Sequence, residues 1–176
     1  LIARWLAAGF LVTAHRVYQY HIKGTPLEKK PAYFVQAPVD TVKYDRERTV
    51  PDKDIMAYSG IKIVSVANIN PTKGIENLIR AAALLLDRKV DFNVFVIGPV
   101  YQSQQDYFSS LKKRISSSNL MERFHFVGPH ENVPAALAAA DIFVCSSIAE
   151  AGPMTVWEAM AMKCAIVSTD VGDVAR

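Results

Sequence analysis

A regular alternation of β-type and helical segments from residue 61 onward is the feature that most constrains how this chain can fold. β-rich apolar runs alternate with segments whose apolar residues recur at helical spacing. The expected strands are 61–66, 92–97, 123–127, 142–145 and 165–168, and the expected helices are 74–88, 102–118, 133–140 and 154–162. Short loops between such segments are typical of right-handed βαβ units. The pattern predicts an α/β domain built on a doubly wound, Rossmann-like parallel sheet.

The first 60 residues lack this alternation. A strand at 10–14, a short helix at 15–22 and an isolated strand at 33–36 are compatible with the pattern, whereas 40–58 is polar and turn-prone. We therefore divide the chain into three parts: the trailing strand and helix of a preceding domain (1–32), an interdomain linker (33–60) and the sheet domain, truncated at its C-terminus (61–176).

The charge distribution argues against a nucleic-acid-binding surface. The chain has 20 Lys and Arg against 17 Asp and Glu, and the excess lies in residues 1–60, where basic and acidic side chains are interspersed. Binding to a phosphate backbone needs several unopposed cations on one face. A solvated surface explains the pattern better, and we expect no nucleic-acid partner.

The remaining composition indicates a cytoplasmic protein. No apolar run approaches the roughly 18 residues of a spanning helix. Cys145 and Cys164 are too far apart for a CxxC site and lie in apolar runs, which predicts two reduced core thiols. The chain opens on Leu1 and an apolar stretch at 5–14, which is either a short signal-peptide core or, as we favour, the start of a fragment of a longer chain.

Ligands of open parallel sheets bind beyond the carboxyl ends of the strands, which selects the loops 67–73, 98–102, 128–131 and 146–153. In the first loop, Lys73 and Gly74 precede a predicted helix. A cation there faces the positive end of the helix macrodipole. Either the ammonium and the free backbone N–H groups bind a phosphate there, or the lysine points to solvent.

The fourth loop carries two glutamates, Glu150 before a predicted helix and Glu158 within it. Gly152 allows a ligand to approach the backbone, and the amides of Met154 and Thr155 would point out of the helix start. If both carboxylates border one pocket, they suit a ligand with hydroxyls and phosphates, such as a nucleotide sugar. Alternatively, Glu150 is an ordinary polar residue of the loop and Glu158 is a solvated helix residue.

The segment 150–173, EAGPMTVWEAMAMKCAIVSTDVGD, resembles the signature of the retaining GT-B glycosyltransferases of family 4, the group 1 glycosyltransferases, in which seven residues separate two glutamates. Further stretches resemble the family in the same order: YFVQAPVDTVKYDRE, SVANINPTKGIENLIRAA, FNVFVIGP and RFHFVGPHENVPAALAAADIFVCSS. The resemblance covers about 33–176 and implies the C-terminal, donor-binding half of a GT-B fold. Residues before 33 are similar to the end of the acceptor-binding N-terminal domain.

The resemblance implies a role for each matching residue. Lys73 would contact the donor diphosphate, Glu150 the sugar hydroxyls and Glu158 the ribose hydroxyls, with Glu150 and Lys73 as the catalytic candidates. The other donor-binding positions are Asn68, Gly74, the strand end near the base at Val127 and Gly128, and the backbone of Gly152, Pro153 and Met154, although Pro153 has no N–H.

Three positions depart from the family pattern. Asn68 stands where the family usually has an arginine that also binds the diphosphate, so one positive charge for the leaving group is missing. Asp173 replaces the second glycine of a Gly-Gly pair, and Ala37-Pro38 replaces Asn-Gly in the linker.

The implied reaction moves a sugar from a nucleoside diphosphate sugar to an acceptor hydroxyl with retained configuration, as in polysaccharide biosynthesis. Lys73 and a helix N-terminus would stabilise the departing diphosphate without a metal ion, and no cofactor beyond the donor is expected. The acceptor, a glycan or lipid-linked sugar, would bind the preceding domain. We therefore expect the 176 residues alone to be inactive and the enzyme to work in the cytoplasm, with peripheral contact at the inner face of the membrane left open.

Two other functions fit the same residues. A non-catalytic nucleotide-binding or assembly module is favoured by Asn68, and a nucleotide-sugar epimerase would share the architecture. A dehydrogenase is not supported, because no GxGxxG follows any strand. His130 either faces the base or lies in solvent.

Overall fold

The computed structural model describes residues 8–35 and 38–175, which form seven strands and six α-helices. In chain order these are β1 (Phe10–Val12), α1 (His15–His21), β2 (Ala32–Phe34), α2 (Lys53–Met56), β3 (Ile61–Val66), α3 (Ile75–Asp87), β4 (Phe92–Ile97), α4 (Gln105–Ser117), β5 (Phe124–Gly128), α5 (Val133–Ala139), β6 (Ile142–Cys145), α6 (Met154–Ala161) and β7 (Ala165–Ser168). The elements expected from residue 61 onward are all present, with ends shifted by a few residues at most.

Strands β3 to β7 form one parallel sheet in the order β5-β4-β3-β6-β7. The chain proceeds outward from β3 to β5 and then crosses back to place β6 on the other side of β3. The loops after β3 and β6 therefore leave the sheet in opposite directions, and the crevice between them is where such sheets bind ligands. This architecture confirms the predicted α/β, doubly wound fold.

Alternating side chains of the strands feed two apolar cores, one on each face of the sheet. Val64, Phe95 and Phe143 pack with α5 and α6, whereas Ile63 and Val94 pack with α3 and α4. All six residues of β4 are buried, as expected for an interior strand covered on both faces. Cys145 and Cys164 are free and buried.

The N-terminal strands form a separate small sheet. β1 pairs in parallel with β2, with Phe10 opposite Ala32 and Val12 opposite Phe34. The prediction of an isolated strand at 33–36 is therefore wrong, because a local apolar pattern does not reveal the partner strand. Residues 1–7, which hold the start of the apolar stretch, and Gln36, Ala37 and Arg176 lie outside the described residues.

The segment that we expected to be turn-prone also contains packed structure. Asp52 caps the short helix α2 by accepting hydrogen bonds from the backbone N–H groups of Asp54 and Ile55. Ile55 and Tyr44 are buried in the core that α5 and α6 cover. Two apolar side chains thus attach this polar segment to the sheet. No helix in the described part of the chain has the length and apolar character that crossing a bilayer requires.

Candidate functional site

A cavity of about 490 Å³ opens at the carboxyl ends of β3 and β4, on the side where β6 joins the sheet. Its walls come from the ends of β3 and β4 and from four loops, those that follow β3, β4, β5 and β6. The lining side chains and backbone belong to Val66, Ala67, Asn68, Lys73, Ile97, Gly98, Pro99, Pro129, His130, Val133, Glu150, Gly152, Pro153, Met154 and Thr155. The four loops selected from the sequence therefore meet at one site.

Lys73 and Glu150 form an ion pair at this cavity, 77 positions apart in the chain. The distance from Lys73 Nζ to Glu150 Oε1 is 2.5 Å, and the two side chains are only 24% and 16% exposed. The family resemblance assigns these residues to different parts of a donor, and the structure places them in direct contact. A ligand that approaches either residue also meets the other.

Tight backbone packing fixes the position of Lys73. The residue ends a 3₁₀ turn, Pro71–Lys73, that Asn70 caps by accepting a hydrogen bond from the N–H of Thr72. Gly74 follows with φ 60°, and a Cβ there would lie 2.1 Å from the carbonyl oxygen of Ser146. Only glycine allows the β3 loop to approach the β6 loop this closely.

Two buried serines directly after β6 hold the ion pair. Ser146 Oγ donates to the carbonyl oxygen of Lys73 at 2.9 Å, and Ser147 Oγ donates to Glu150 Oε1 at 2.8 Å. The N–H of Ile148 donates to the carbonyl of Thr72 at 2.7 Å. Sequence reasoning missed both serines, although they lie in a loop that the strand-end rule had selected.

Glu158 does not line this cavity, so the prediction that both carboxylates border one pocket holds for Glu150 alone. Glu158 lies in the second turn of α6, where its carboxylate neighbours the Tyr44 hydroxyl. Burial and this neighbouring carboxylate raise the pKa of Tyr44. Tyr44 is far from Glu158 in sequence, and no local pattern indicated the contact.

The other predicted donor-binding positions fall into two groups. Asn68, Gly152, Pro153 and Met154 line the cavity. The N–H of Met154, which we expected to be free, donates to the carbonyl of Gly152 at 2.9 Å. Three predicted positions are not in the lining. Gly74 packs against the backbone of Ser146 instead. Val127 and Gly128 end the outer strand β5, just before the lining residue Pro129.

His130 lies in the cavity wall with both ring nitrogens engaged. Its Nε2 is 2.8 Å from Asp52 Oδ2, and the N–H of Asn132 donates to Nδ1 at 3.2 Å. Burial acts to raise the pKa of the Asp52 carboxyl, but hydrogen bonds from the Ile55 N–H and from His130 hold it below its ordinary value. His130 therefore lies in the cavity wall, and its contact with a base stays a prediction.

Glu150 also lines a second cavity, of about 760 Å³, on the other side of the β6 loop. Helix α1 contributes Arg16, Tyr20 and His21 to its wall, and the β6 loop contributes Ile148 and Ala151. One carboxylate thus lies between two cavities. In the described part of the chain, no three His, Cys, Asp or Glu side chains converge as a metal site, and independence from metal stays a prediction.

Asp173, one of the departures from the family pattern, connects the N-terminal segment to the sheet domain. Its Oδ2 accepts a hydrogen bond from the backbone N–H of His15 and lies 2.8 Å from His15 Nδ1. Next to it, Arg16 forms an ion pair with Asp170. The start of α1 is therefore held by the loop that follows β7.

A family model, a curated relative and solved structures resemble this chain. The family model described as glycosyl transferases group 1 matches residues 53–176. The lipopolysaccharide core biosynthesis mannosyltransferase LpsB of Rhizobium meliloti (strain 1021) is 34% identical over 100 residues, a match that covers 57% of this chain and 28% of LpsB.

Solved structures agree with this match. HepE from Anabaena, crystallised in complex with UDP and glucose, superposes with a TM-score of 0.85 at 21% identity, over 99% of this chain and 47% of HepE. The C-terminal domain of LpcC, a glycosyl transferase group 1 family protein from Francisella tularensis, superposes with a TM-score of 0.61 at 26% identity, over 70% of this chain and 69% of that domain. The chain thus spans less than a third of LpsB and about half of HepE.

Proposed function

Because the chain belongs to the group 1 glycosyl transferases, we propose that it is the donor-binding part of a retaining enzyme that transfers a sugar from a nucleoside diphosphate sugar to an acceptor hydroxyl. The observation that carries the proposal is the contact between Lys73 and Glu150 in the cavity at the switch point of the sheet. A cation and an acceptor-only side chain lie side by side there, as a ligand with both phosphates and hydroxyls requires.

Lys73 is the residue that would stabilise the leaving group. Negative charge develops on the diphosphate as its bond to the sugar breaks, and preorganised positive groups in a water-poor site lower that barrier. The N-terminus of α6, at Met154 and Thr155, lines the same cavity and contributes its partial positive charge. Asn68 adds hydrogen-bonding capacity without charge.

Donor binding would exchange the partner of Lys73. In the free protein its ammonium is neutralised by Glu150. A diphosphate carries more negative charge than one carboxylate, so the ammonium would move to a phosphate oxygen. Glu150 would then be released to accept hydrogen bonds from the sugar hydroxyls, which couples recognition of the two halves of the donor.

The position of Glu150 between two cavities fits a reaction that joins two substrates. The donor would occupy the cavity that contains Lys73, and the acceptor would approach through the cavity that α1 borders. A glycan or a lipid-linked sugar is the acceptor class that we propose, bound largely by the part of the protein that precedes this chain. The reaction would take place in the cytoplasm, at or near the inner face of the membrane.

The relatives support this substrate class by what their names state. HepE was crystallised with UDP and glucose, and also with UDP-glucose, and LpsB is named as a mannosyltransferase of lipopolysaccharide core biosynthesis. For this chain we therefore propose a hexosyl donor carried on a nucleoside diphosphate.

Calorimetric titration with UDP, GDP and ADP and with UDP-glucose and GDP-mannose tests the proposal. We expect at least one nucleoside diphosphate to bind, its nucleotide sugar to bind more tightly, and excess EDTA to leave both affinities unchanged. Binding of none of the five ligands would refute donor binding. Binding that EDTA abolished and Mg²⁺ restored would refute the metal-free site.

A non-catalytic nucleotide-binding module remains the second candidate, because Asn68 lines the cavity where the family usually places an arginine. Assay of the full-length protein for release of the nucleoside diphosphate from its nucleotide sugar, in the presence of an extract of candidate acceptors, separates the two. Binding without turnover favours the module. Asn68→Arg is then the informative variant, since it restores the missing charge.

A further inference from the structure

We propose that Ser147 is the positioning residue that orients Glu150 for the sugar of the donor. This inference rests on the proposed function and names a residue that neither the sequence patterns nor the family comparison singled out. Ser147 is 3% exposed and is the second residue after β6, and its hydroxyl donates to Glu150 Oε1 at 2.8 Å.

The two oxygens of the Glu150 carboxylate have different surroundings. Lys73 Nζ and Ser147 Oγ both bind Oε1. Within residues 8–35 and 38–175, Oε2 has no hydrogen-bond partner, although the side chain lines the cavity. Oε2 is therefore the oxygen that is available to accept a hydrogen bond from a ligand hydroxyl.

Ser147 becomes more important once a donor is bound. When the Lys73 ammonium moves to the diphosphate, Glu150 loses one of the two contacts on Oε1. The hydroxyl of Ser147 is then the remaining side-chain donor to that oxygen, and it keeps the carboxylate in the orientation that presents Oε2. Without it, Glu150 would adopt several rotamers, and ordering it again would reduce the free energy of sugar binding.

The backbone of Ser147 is itself held in place. The Thr169 hydroxyl, just after β7, donates to the carbonyl of Ser147 at 2.6 Å. The neighbouring Ser146 bonds to the carbonyl of Lys73, so adjacent serines hold the two members of the ion pair. Because both serines follow β6, an interior strand of the sheet, the ion pair is attached to the sheet itself.

The test compares Ser147→Ala with Ser65→Ala, because Ser65 is a buried serine of strand β3 whose hydroxyl makes no described hydrogen bond to Lys73 or Glu150. Each variant is titrated with UDP and UDP-glucose, and with GDP and GDP-mannose. For Ser147→Ala we expect the nucleotide sugar to bind about 3- to 10-fold more weakly, the loss of one hydrogen bond, with the bare diphosphate unchanged within about twofold. Ser65→Ala should change neither the affinity for the nucleotide sugar nor that for the bare diphosphate.

Two further variants keep the test decisive. Ser147→Thr retains the hydroxyl and should restore the affinity for the nucleotide sugar, and Ser147→Cys replaces Ser147→Ala if the alanine variant does not fold. In a Glu150→Ala background, Ser147→Ala should have no further effect on sugar affinity, because the residue acts through Glu150.

Each outcome has a defined meaning. Equal weakening of diphosphate and nucleotide sugar, no weakening of either, or an effect that persists without Glu150 would overturn the positioning role. All of these comparisons are made against a wild-type chain that binds the nucleotide sugar more tightly than the nucleoside diphosphate. If it binds neither, the proposed function itself fails, and the inference fails with it.

Discussion

At the scale of single residues, the site depends on contacts that a few atoms make across two loops. Lys73 and Glu150 neutralise each other, and Gly74 allows their loops to approach. The charges lie in a largely buried place, where each unpaired charge would be costly. Removal of either side chain should therefore change the affinity for some ligands and not for others, and the difference identifies which part of the donor that side chain contacts.

Lys73→Ala should weaken nucleoside diphosphate binding about 10- to 100-fold, because a charge-assisted hydrogen bond contributes about 1.5–3 kcal/mol. Glu150→Ala should leave that affinity unchanged or raise it, since the ammonium is released, and should reduce only the extra affinity for the nucleotide sugar. Glu158 does not line the cavity in the free protein, so Glu158→Ala tests the ribose contact that the family resemblance implies, and weakening of nucleoside and nucleoside diphosphate by the same factor would support that contact. Calorimetry with the three ligand types measures the pattern. Weakening of the bare diphosphate by Glu150→Ala to the same degree as by Lys73→Ala would contradict these roles.

Gly74→Ala should destabilise the chain and weaken ligand binding, because the new Cβ would overlap the carbonyl of Ser146. Gly24→Ala is the matched control: Gly24 also has positive φ, at 75°, but a Cβ there would have no neighbour within 4 Å. Urea denaturation should show a loss for Gly74→Ala that exceeds the control by more than about 1 kcal/mol. Equal losses would mean that backbone conformation alone, and not the close approach, determines the effect.

At the scale of elements, helix α1 is capped by a residue from the opposite end of the chain. Ala14 occupies its N-cap position and provides no side-chain hydrogen bond, whereas Asp173 accepts the N–H of His15. A glycine at position 173, as the family pattern has, could not make this contact. The departure therefore has a structural consequence, which is to join α1 to the loop after β7.

Asp173→Asn keeps an oxygen that can accept the His15 N–H but removes the negative charge at the start of α1, and it should lower the free energy of unfolding by about 0.3–1 kcal/mol at neutral pH. Burial acts to raise the pKa of the Asp173 carboxyl, but hydrogen bonds from the His15 backbone and ring lower it below its ordinary value of 3.8. The charged carboxylate therefore stabilises the fold above about pH 4, and this contribution is lost as the pH falls through the lowered pKa.

Urea titrations of the wild type and Asp173→Asn at several pH values from about 6 to 2 measure this dependence. The difference between the two proteins should shrink as the pH falls. Asp170→Asn, which breaks a more exposed ion pair with Arg16, is the control and should cost less. A difference for Asp173→Asn that stayed constant across the range would show that its charge has no role.

At the scale of the whole molecule, the segment between β2 and β3 packs against the sheet domain through a few buried residues. Ile55 and Tyr44 are part of the core beneath α5 and α6, and Asp52 reaches the cavity wall through His130. The segment between the N-terminal elements and the sheet therefore contributes to stability and borders the site.

Ile55→Ala should lower the free energy of unfolding by about 2–5 kcal/mol, since Ile55 is 3% exposed and its removal leaves a cavity. Val50→Ala, in the same segment but at an 81% exposed side chain, should change it by less than about 0.5 kcal/mol. Thermal or urea unfolding of both variants measures this. If both variants changed the free energy of unfolding by similarly small amounts, the segment between β2 and β3 would not unfold cooperatively with the sheet domain.

The sequence by itself determined the order and kind of the elements after residue 61 and the loops that form the site. Those properties depend on local periodicity and on the rule that parallel strands present their carboxyl ends at one edge. Lys73 and Glu150 were identifiable for that reason. Only the tertiary structure decided that their side chains meet, that Glu158 turns to Tyr44 and that β1 pairs with β2. Each contact joins positions far apart in the chain, and it depends on which strands become neighbours, which no local pattern contains.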